Sequence, residues 1–133
     1  MNLIHGDYSY IELSFSSFET FIKNKALYVD KTRFVCHVLD RTSDVLLFTR
    51  PRRMGKSLNL DTLRTFLDCA RDTGHLFKGL YIENSLFWEK LNKYPVIYLD
   101  FKDLTLRNYK EEVKDMLVNY CRNIFLKTCL KIL

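Results

Sequence analysis

The sequence has few of the residues that interrupt or decorate a chain. Its 133 residues include only four glycines and two prolines. No Gly/Ser/Pro-rich linker can be built from so few, so one unit over residues 1–133 with no internal boundary is expected. Repeats and low-complexity segments are also absent. No apolar run approaches the ~18 residues that cross a bilayer. The N-terminus, Met1-Asn2-Leu3-Ile4-His5-Gly6-Asp7, lacks the basic region and apolar run of a secretory signal. An intracellular, cytoplasmic protein with no membrane partner is therefore expected. The four cysteines, Cys36, Cys69, Cys121 and Cys129, form no Cys-x-x-Cys pair, and His5, His37 and His75 stand at no metal-ligand spacing. That pattern fits reduced core thiols rather than a disulfide framework or a zinc site.

Apolar and aromatic side chains are plentiful. At 47% hydrophobic and 14% aromatic residues, the chain carries enough apolar surface to offset the entropy of ordering, which argues against disorder. The net charge of +5 favours an anionic partner, whether nucleotide, nucleic acid or acidic lipid, without choosing among them. Basic residues are scattered except where Arg50, Arg52, Arg53 and Lys56 fall within seven positions.

Hydrophobic periodicity predicts a short helix around Phe15, Phe18, Phe21 and Ile22, ended by Lys23-Asn24-Lys25. A second helix, capped by Asp30 or Thr32, places Phe34, Val35, Val38 and Leu39 on one stripe. Val45-Leu46-Leu47-Phe48-Thr49 is a continuous apolar run that suits a strand buried on both faces. A helix from Ser57 presents Leu60, Leu63, Phe66, Leu67 and Ala70 inward and ends near Gly74. Residues 76–82 read as loop, and Leu86–Leu91 as one or two helical turns. Pro95 opens a second buried strand through Phe101. A long helix from about Arg107 carries Tyr109, Val113, Met116, Leu117, Tyr120, Cys121, Ile124 and Phe125. The order strand, loop, helix, connector, strand, helix is that of an α/β protein. Two strands alone make a poor sheet, so further strands are expected downstream of the apolar end Leu130-Lys131-Ile132-Leu133.

The loop between the first strand and its helix carries the chemistry. Residues 50–57 read Arg50-Pro51-Arg52-Arg53-Met54-Gly55-Lys56-Ser57. Their second half matches the phosphate-binding pattern Gly-x-x-x-x-Gly-Lys-[Ser/Thr], while Arg50 stands where the first glycine belongs. Gly55 permits a backbone conformation closed to other residues. Inward-facing N–H groups from Met54 to Ser57 form an anion nest at the positive end of a helix dipole. Lys56 is placed to reach β- and γ-phosphates, and the Ser57 hydroxyl to ligate Mg²⁺. Arg50, Pro51, Arg52, Arg53, Met54, Gly55, Lys56 and Ser57 are thus the candidate nucleotide site, with ATP and Mg²⁺ as the expected ligands. The competing reading is a basic turn that binds nothing. Asp100, at the end of the second strand, is a candidate for holding Mg²⁺ through water, against the plainer reading of a strand-end cap.

Four segments together resemble one family. They are Tyr28-Val29-Asp30-Lys31-Thr32, the loop Arg50 to Ser57, Leu76-Phe77-Lys78-Gly79-Leu80, and Tyr94-Pro95-Val96-Ile97-Tyr98-Leu99-Asp100-Phe101. The chain is similar in them to the N-terminal part of the AAA-ATPase-like family, predicted P-loop ATPases often followed by a restriction-like nuclease domain. The resemblance implies a partial P-loop NTPase domain with later strands missing, and it makes Arg50 a normal feature of the loop. It also implies that the strand ending at Asp100 is not the Walker B strand. The adjacent Asp and Glu of that strand would lie downstream, so a complete hydrolysis site is not expected. Three functional readings follow: an ATP-binding module lacking its hydrolytic half, a non-functional fragment of a longer ATPase, and a basic module for nucleic acid. The missing C-terminal part of the same domain is a further expected partner.

Overall fold

The computed structural model describes residues 3–4, 17–25, 27–99 and 109–129. Side chains that avoid water decide where the elements meet. Phe18, Tyr28, Val35, Phe66, Leu76, Phe77, Leu80 and Ile82 are all buried and form one core. The largest of them form a continuous aromatic chain. The Phe18 and Phe77 rings stack at 4.9 Å. Phe66 meets Phe77 edge-on at 5.3 Å, and Tyr28 meets Phe18 edge-on at 5.5 Å. Burying a side chain of this size stabilises the fold by about 1.5–3 kcal/mol.

Helix α1 (Phe18–Lys23) contributes Phe18 and ends as expected, with Asn24 as C-cap and Lys25 left-handed at φ 50°. Glu19 accepts hydrogen bonds from Lys23 at 2.7 Å and from Arg71 at 3.2 Å. The Lys23 bond, and then the nearby cations, hold its carboxyl below the ordinary 4.5. Strand β1 (Leu3–Ile4) pairs antiparallel with β2 (Tyr28–Val29), Leu3 opposite Val29. Helix α2 (Arg33–Leu39) buries Val35. Helix α3 (Lys56–Leu67) supplies Phe66. Three 3₁₀ turns follow, Gly74–Phe77, Tyr81–Asn84 and Leu86–Lys90. Helix α4 (Tyr109–Cys129) half-buries Val113 and Met116, while Leu117 and Cys121 are exposed. Phe15 and the side chains of Tyr109, Tyr120, Ile124 and Phe125 lie outside the described residues.

Four expectations need correction. Residues 45–49 pair with nothing as a strand, and Val45 and Leu47 are 83% and 85% exposed. A strand exists only by exchanging hydrogen bonds with a neighbour, and among the described residues no neighbour reaches this run. Phe48 meets the Phe34 ring of α2 edge-on at 4.8 Å. Likewise, 95–99 form no strand. Tyr94 alone makes a parallel bridge, to Asp68. The described part is therefore a mixed, helix-rich fold with one two-stranded ladder.

Helix α3 also stops at Leu67 rather than near Gly74, because other groups take its terminal carbonyls. Asn92 N–H donates to Phe66 O at 2.8 Å, Tyr94 N–H to Leu67 O at 2.9 Å, and the Thr73 hydroxyl to Thr65 O at 2.7 Å. Those acceptors are the ones a helix end leaves unpaired. The inner face of α3 is rotated as well. Asp61, Thr62, Thr65 and Phe66 are buried, while Leu60 is 45% exposed. Polar residues can sit inward here because they are satisfied: the Asp61 carboxylate accepts the Phe18 N–H at 2.8 Å, and the Thr62 hydroxyl donates to Leu58 O at 2.8 Å.

Candidate phosphate-binding loop

Residues 50–57 form an exposed loop that runs into α3. Arg53 and Gly55 both adopt left-handed backbone, φ 62° and 72°. Gly55 is the N-cap of α3, and glycine is the residue that takes this conformation without steric cost. The first helical hydrogen bond is Asn59 N–H to Gly55 O at 2.9 Å. Consequently the N–H groups of Met54, Gly55, Lys56 and Ser57 bond to no other described part of the chain. Free N–H groups at the start of a three-turn helix favour an anion, through direct hydrogen bonds and the helix dipole.

Lys56 is the first residue of α3, and its side chain folds back over the loop. Its ammonium donates to Arg50 O and, at 2.8 Å, to Pro51 O. These two bonds tie the start of the loop to the first residue of the helix. Ser57 follows with an exposed side chain. Arg50, Arg52 and Arg53 are exposed, and none of the ion pairs among the described residues involves them or Lys56.

The structure places Gly55 at the N-cap of α3, Lys56 and Ser57 in its first turn, and Arg50, Pro51, Arg52, Arg53 and Met54 in the exposed stretch before it. It also adds a residue to which no role was assigned. A Cβ built on Gly55 would sit 3.6 Å from the ammonium of Lys31, so Lys31 lies against the loop from a different segment. Its sequence signal was only its place inside the Tyr28–Thr32 segment. Asp100 lies outside the described residues. Among those described, no cluster of three or more His, Cys, Asp or Glu side chains could hold a metal ion. No helix of the described residues is long and apolar enough to cross a membrane.

A family model for predicted AAA-ATPases matches residues 12–130, which include the whole loop and every described element from α1 onward. The chain belongs to the predicted AAA-ATPase family. Within that family's match, Gly55, Lys56 and Ser57 fall where a left-handed glycine opens helix α3. A relative from Azotobacter chroococcum mcd 1, an uncharacterized protein in the vnfD 5′ region, is 33% identical over 84 residues, 63% of this chain. The matched stretch is only 15% of that protein's length. No solved structure matches the chain.

Proposed function

We propose that this chain is a nucleotide-binding module that holds the phosphates of ATP on residues 50–57. The observation that carries the reading is the left-handed Gly55 opening α3, with unbonded N–H groups from Met54 to Ser57 and the Lys56 ammonium folded back onto the loop carbonyls of Arg50 and Pro51. These N–H groups fit phosphate oxygens in the order that a phosphate loop requires. On binding, Lys56 leaves the carbonyls of Arg50 and Pro51 and turns to the phosphates, so the ligand competes with the loop's own oxygens for one cation. Ser57, one residue further and exposed, offers its hydroxyl to the Mg²⁺ that accompanies the nucleotide.

In this reading the chain supplies the binding half of the site without a complete hydrolysis site: its sequence contains no adjacent Asp-Glu pair to order and polarise an attacking water. The rest of the chemistry would come from other parts of a longer assembly, in keeping with the small share of the Azotobacter relative that is matched.

Thermal melting with and without Mg²⁺-ATP tests the assignment. Nucleotide at 100-fold its dissociation constant stabilises the folded state by about 2.7 kcal/mol. Wild type is expected to melt several degrees higher with nucleotide, and Lys56→Ala not at all. Equal shifts in the two proteins, or none in either, remove residues 50–57 as the site.

A second reading rests on Arg50, Arg52 and Arg53, exposed and outside every described ion pair. Such a patch can contact the phosphates of a nucleic acid. Its affinity would then fall steeply between low and moderate salt, with a log–log slope near the number of contacts. Binding that is insensitive to salt excludes it.

A further inference from the structure

Lys31 belongs to a segment whose other members are fully engaged elsewhere. Asp30 and Thr32 fasten this turn at both ends. One oxygen of the Asp30 carboxylate accepts the Thr32 N–H at 2.8 Å and the Thr32 hydroxyl at 2.7 Å. The other accepts the Tyr81 N–H at 2.7 Å. The Thr32 oxygen in turn accepts the Ile82 N–H at 3.2 Å, and Thr32 is fully buried. Lys31 O receives the Phe34 N–H at 2.8 Å, in the turn that leads into α2.

Between those pins, Lys31 alone points its side chain away from the core, and that side chain ends beside Gly55. No described carboxylate pairs with it. An unpaired ammonium resting against the backbone of an anion-binding loop gains nothing from that contact in the absence of an anion. Two cations from separate segments thus reach the same loop, Lys56 at the carbonyls of Arg50 and Pro51 and Lys31 beside Gly55.

We propose that Lys31 is a second phosphate-contacting lysine of the nucleotide site, delivered in cis by the pinned 30–32 turn, and that it favours nucleoside triphosphate over diphosphate. The proposal rests on the nucleotide-binding reading above and deepens it. Lys56 is tethered to the helix that carries the loop, so it serves any phosphate seated on the nest. Lys31 reaches in from outside the loop, and the fourth negative charge of a triphosphate is where an added cation matters most. The turn that carries it is already held by the five hydrogen bonds above, so little backbone entropy opposes the contact.

The test uses the full 133-residue chain, with fluorescent ATP and ADP analogues titrated in the presence of Mg²⁺ at constant salt. The variants are Lys31→Met, Lys31→Arg and, as a charge control remote from the loop, Lys93→Met. Melting in the absence of nucleotide checks that each is folded. Losing one charge-assisted hydrogen bond weakens binding by about tenfold. Lys31→Met is expected to lose about that much for ATP and clearly less for ADP. Lys31→Arg should recover most of the ATP affinity, and Lys93→Met should behave as wild type. If Lys31→Met binds ATP as wild type does while Lys56→Ala abolishes binding, the role of Lys31 is overturned and the nucleotide site stands. Equal weakening by Lys31→Met and Lys93→Met also overturns it, because the effect is then one of net charge. If the wild-type chain binds neither nucleotide, the nucleotide-binding reading itself fails.

Discussion

Replacing Thr32 by valine tests the connection between the 30–32 turn and the core with almost no change of shape. Thr32 is 0% exposed, so water cannot take over what its hydroxyl does. The hydroxyl donates to the Asp30 carboxylate at 2.7 Å and accepts from Ile82 N–H at 3.2 Å. A hydrogen bond to a charged acceptor is worth about 1.5–3 kcal/mol, and an orphaned buried N–H costs about 1–3 kcal/mol. The Asp30 oxygen keeps the Thr32 N–H, and the Ile82 bond is long, so both terms belong near their lower ends. Thr32→Val is therefore expected to destabilise by about 3 kcal/mol. At about 4 °C per kcal/mol for a chain of this size, the melting midpoint falls by about 12 °C. Thr32→Ser keeps the hydroxyl and loses one buried methyl, a cost of about 1 kcal/mol. Urea unfolding of the three proteins, with similar slopes, gives the comparison directly. If valine costs no more than serine, the hydroxyl does not fasten the turn to Ile82 and the reasoning is refuted.

Two further substitutions probe the fold. Asn92→Ala removes the side-chain bonds from Asn92 to Asp68 O and the Thr73 hydroxyl, and it places alanine at φ 54°. A loss of about 2–4 kcal/mol is expected in denaturant unfolding, and a loss under 1 kcal/mol contradicts the account of how α3 ends. Tyr28→Phe concerns a phenol that is buried with no hydrogen-bond partner. Burial pushes its pKa up to about 12 from 10.0, although Thr62 and the backbone of Lys31 are close enough to oppose the shift slightly. The unfolded chain releases this proton near pH 10 and the folded one only near 12, so between them the unfolded state binds fewer protons and stability falls as pH rises. Below pH 10 the phenol is neutral in both states and this loss is absent. Tyr28→Phe should match or exceed wild-type stability at pH 7 and show a shallower alkaline loss. An unchanged alkaline limb contradicts the buried, unpaired phenol.

Much of the local structure was legible in the residues. Phe18 and Val35 sit on the predicted helix faces because a 3.6-residue repeat of apolar side chains has one way to reach a core. Gly55-Lys56-Ser57 opens a helix as the pattern demanded. What periodicity could not show were features made by distant residues. Asn92, Thr73 and Tyr94 end α3, at separations of 8 to 27 positions from the carbonyls they cap. Asp61 lies inward because the Phe18 N–H, 43 positions away, needs an acceptor. Apolar content alone suggested strands at 45–49 and 96–101, yet strands depend on partners that a local window does not contain. Lys31 was hidden for the same reason, since its nearness to Gly55 exists only after the turn and the loop have met.

The most direct measurement of the central claim is a titration of the ¹⁵N-labelled chain with Mg²⁺-ATP, followed by amide shifts. The account predicts that the amides of Met54, Gly55, Lys56 and Ser57 move first and furthest, with Lys31 beside them. It also predicts that Lys56→Ala abolishes the movement. Shifts confined to other surfaces, or none at millimolar nucleotide, would contradict it.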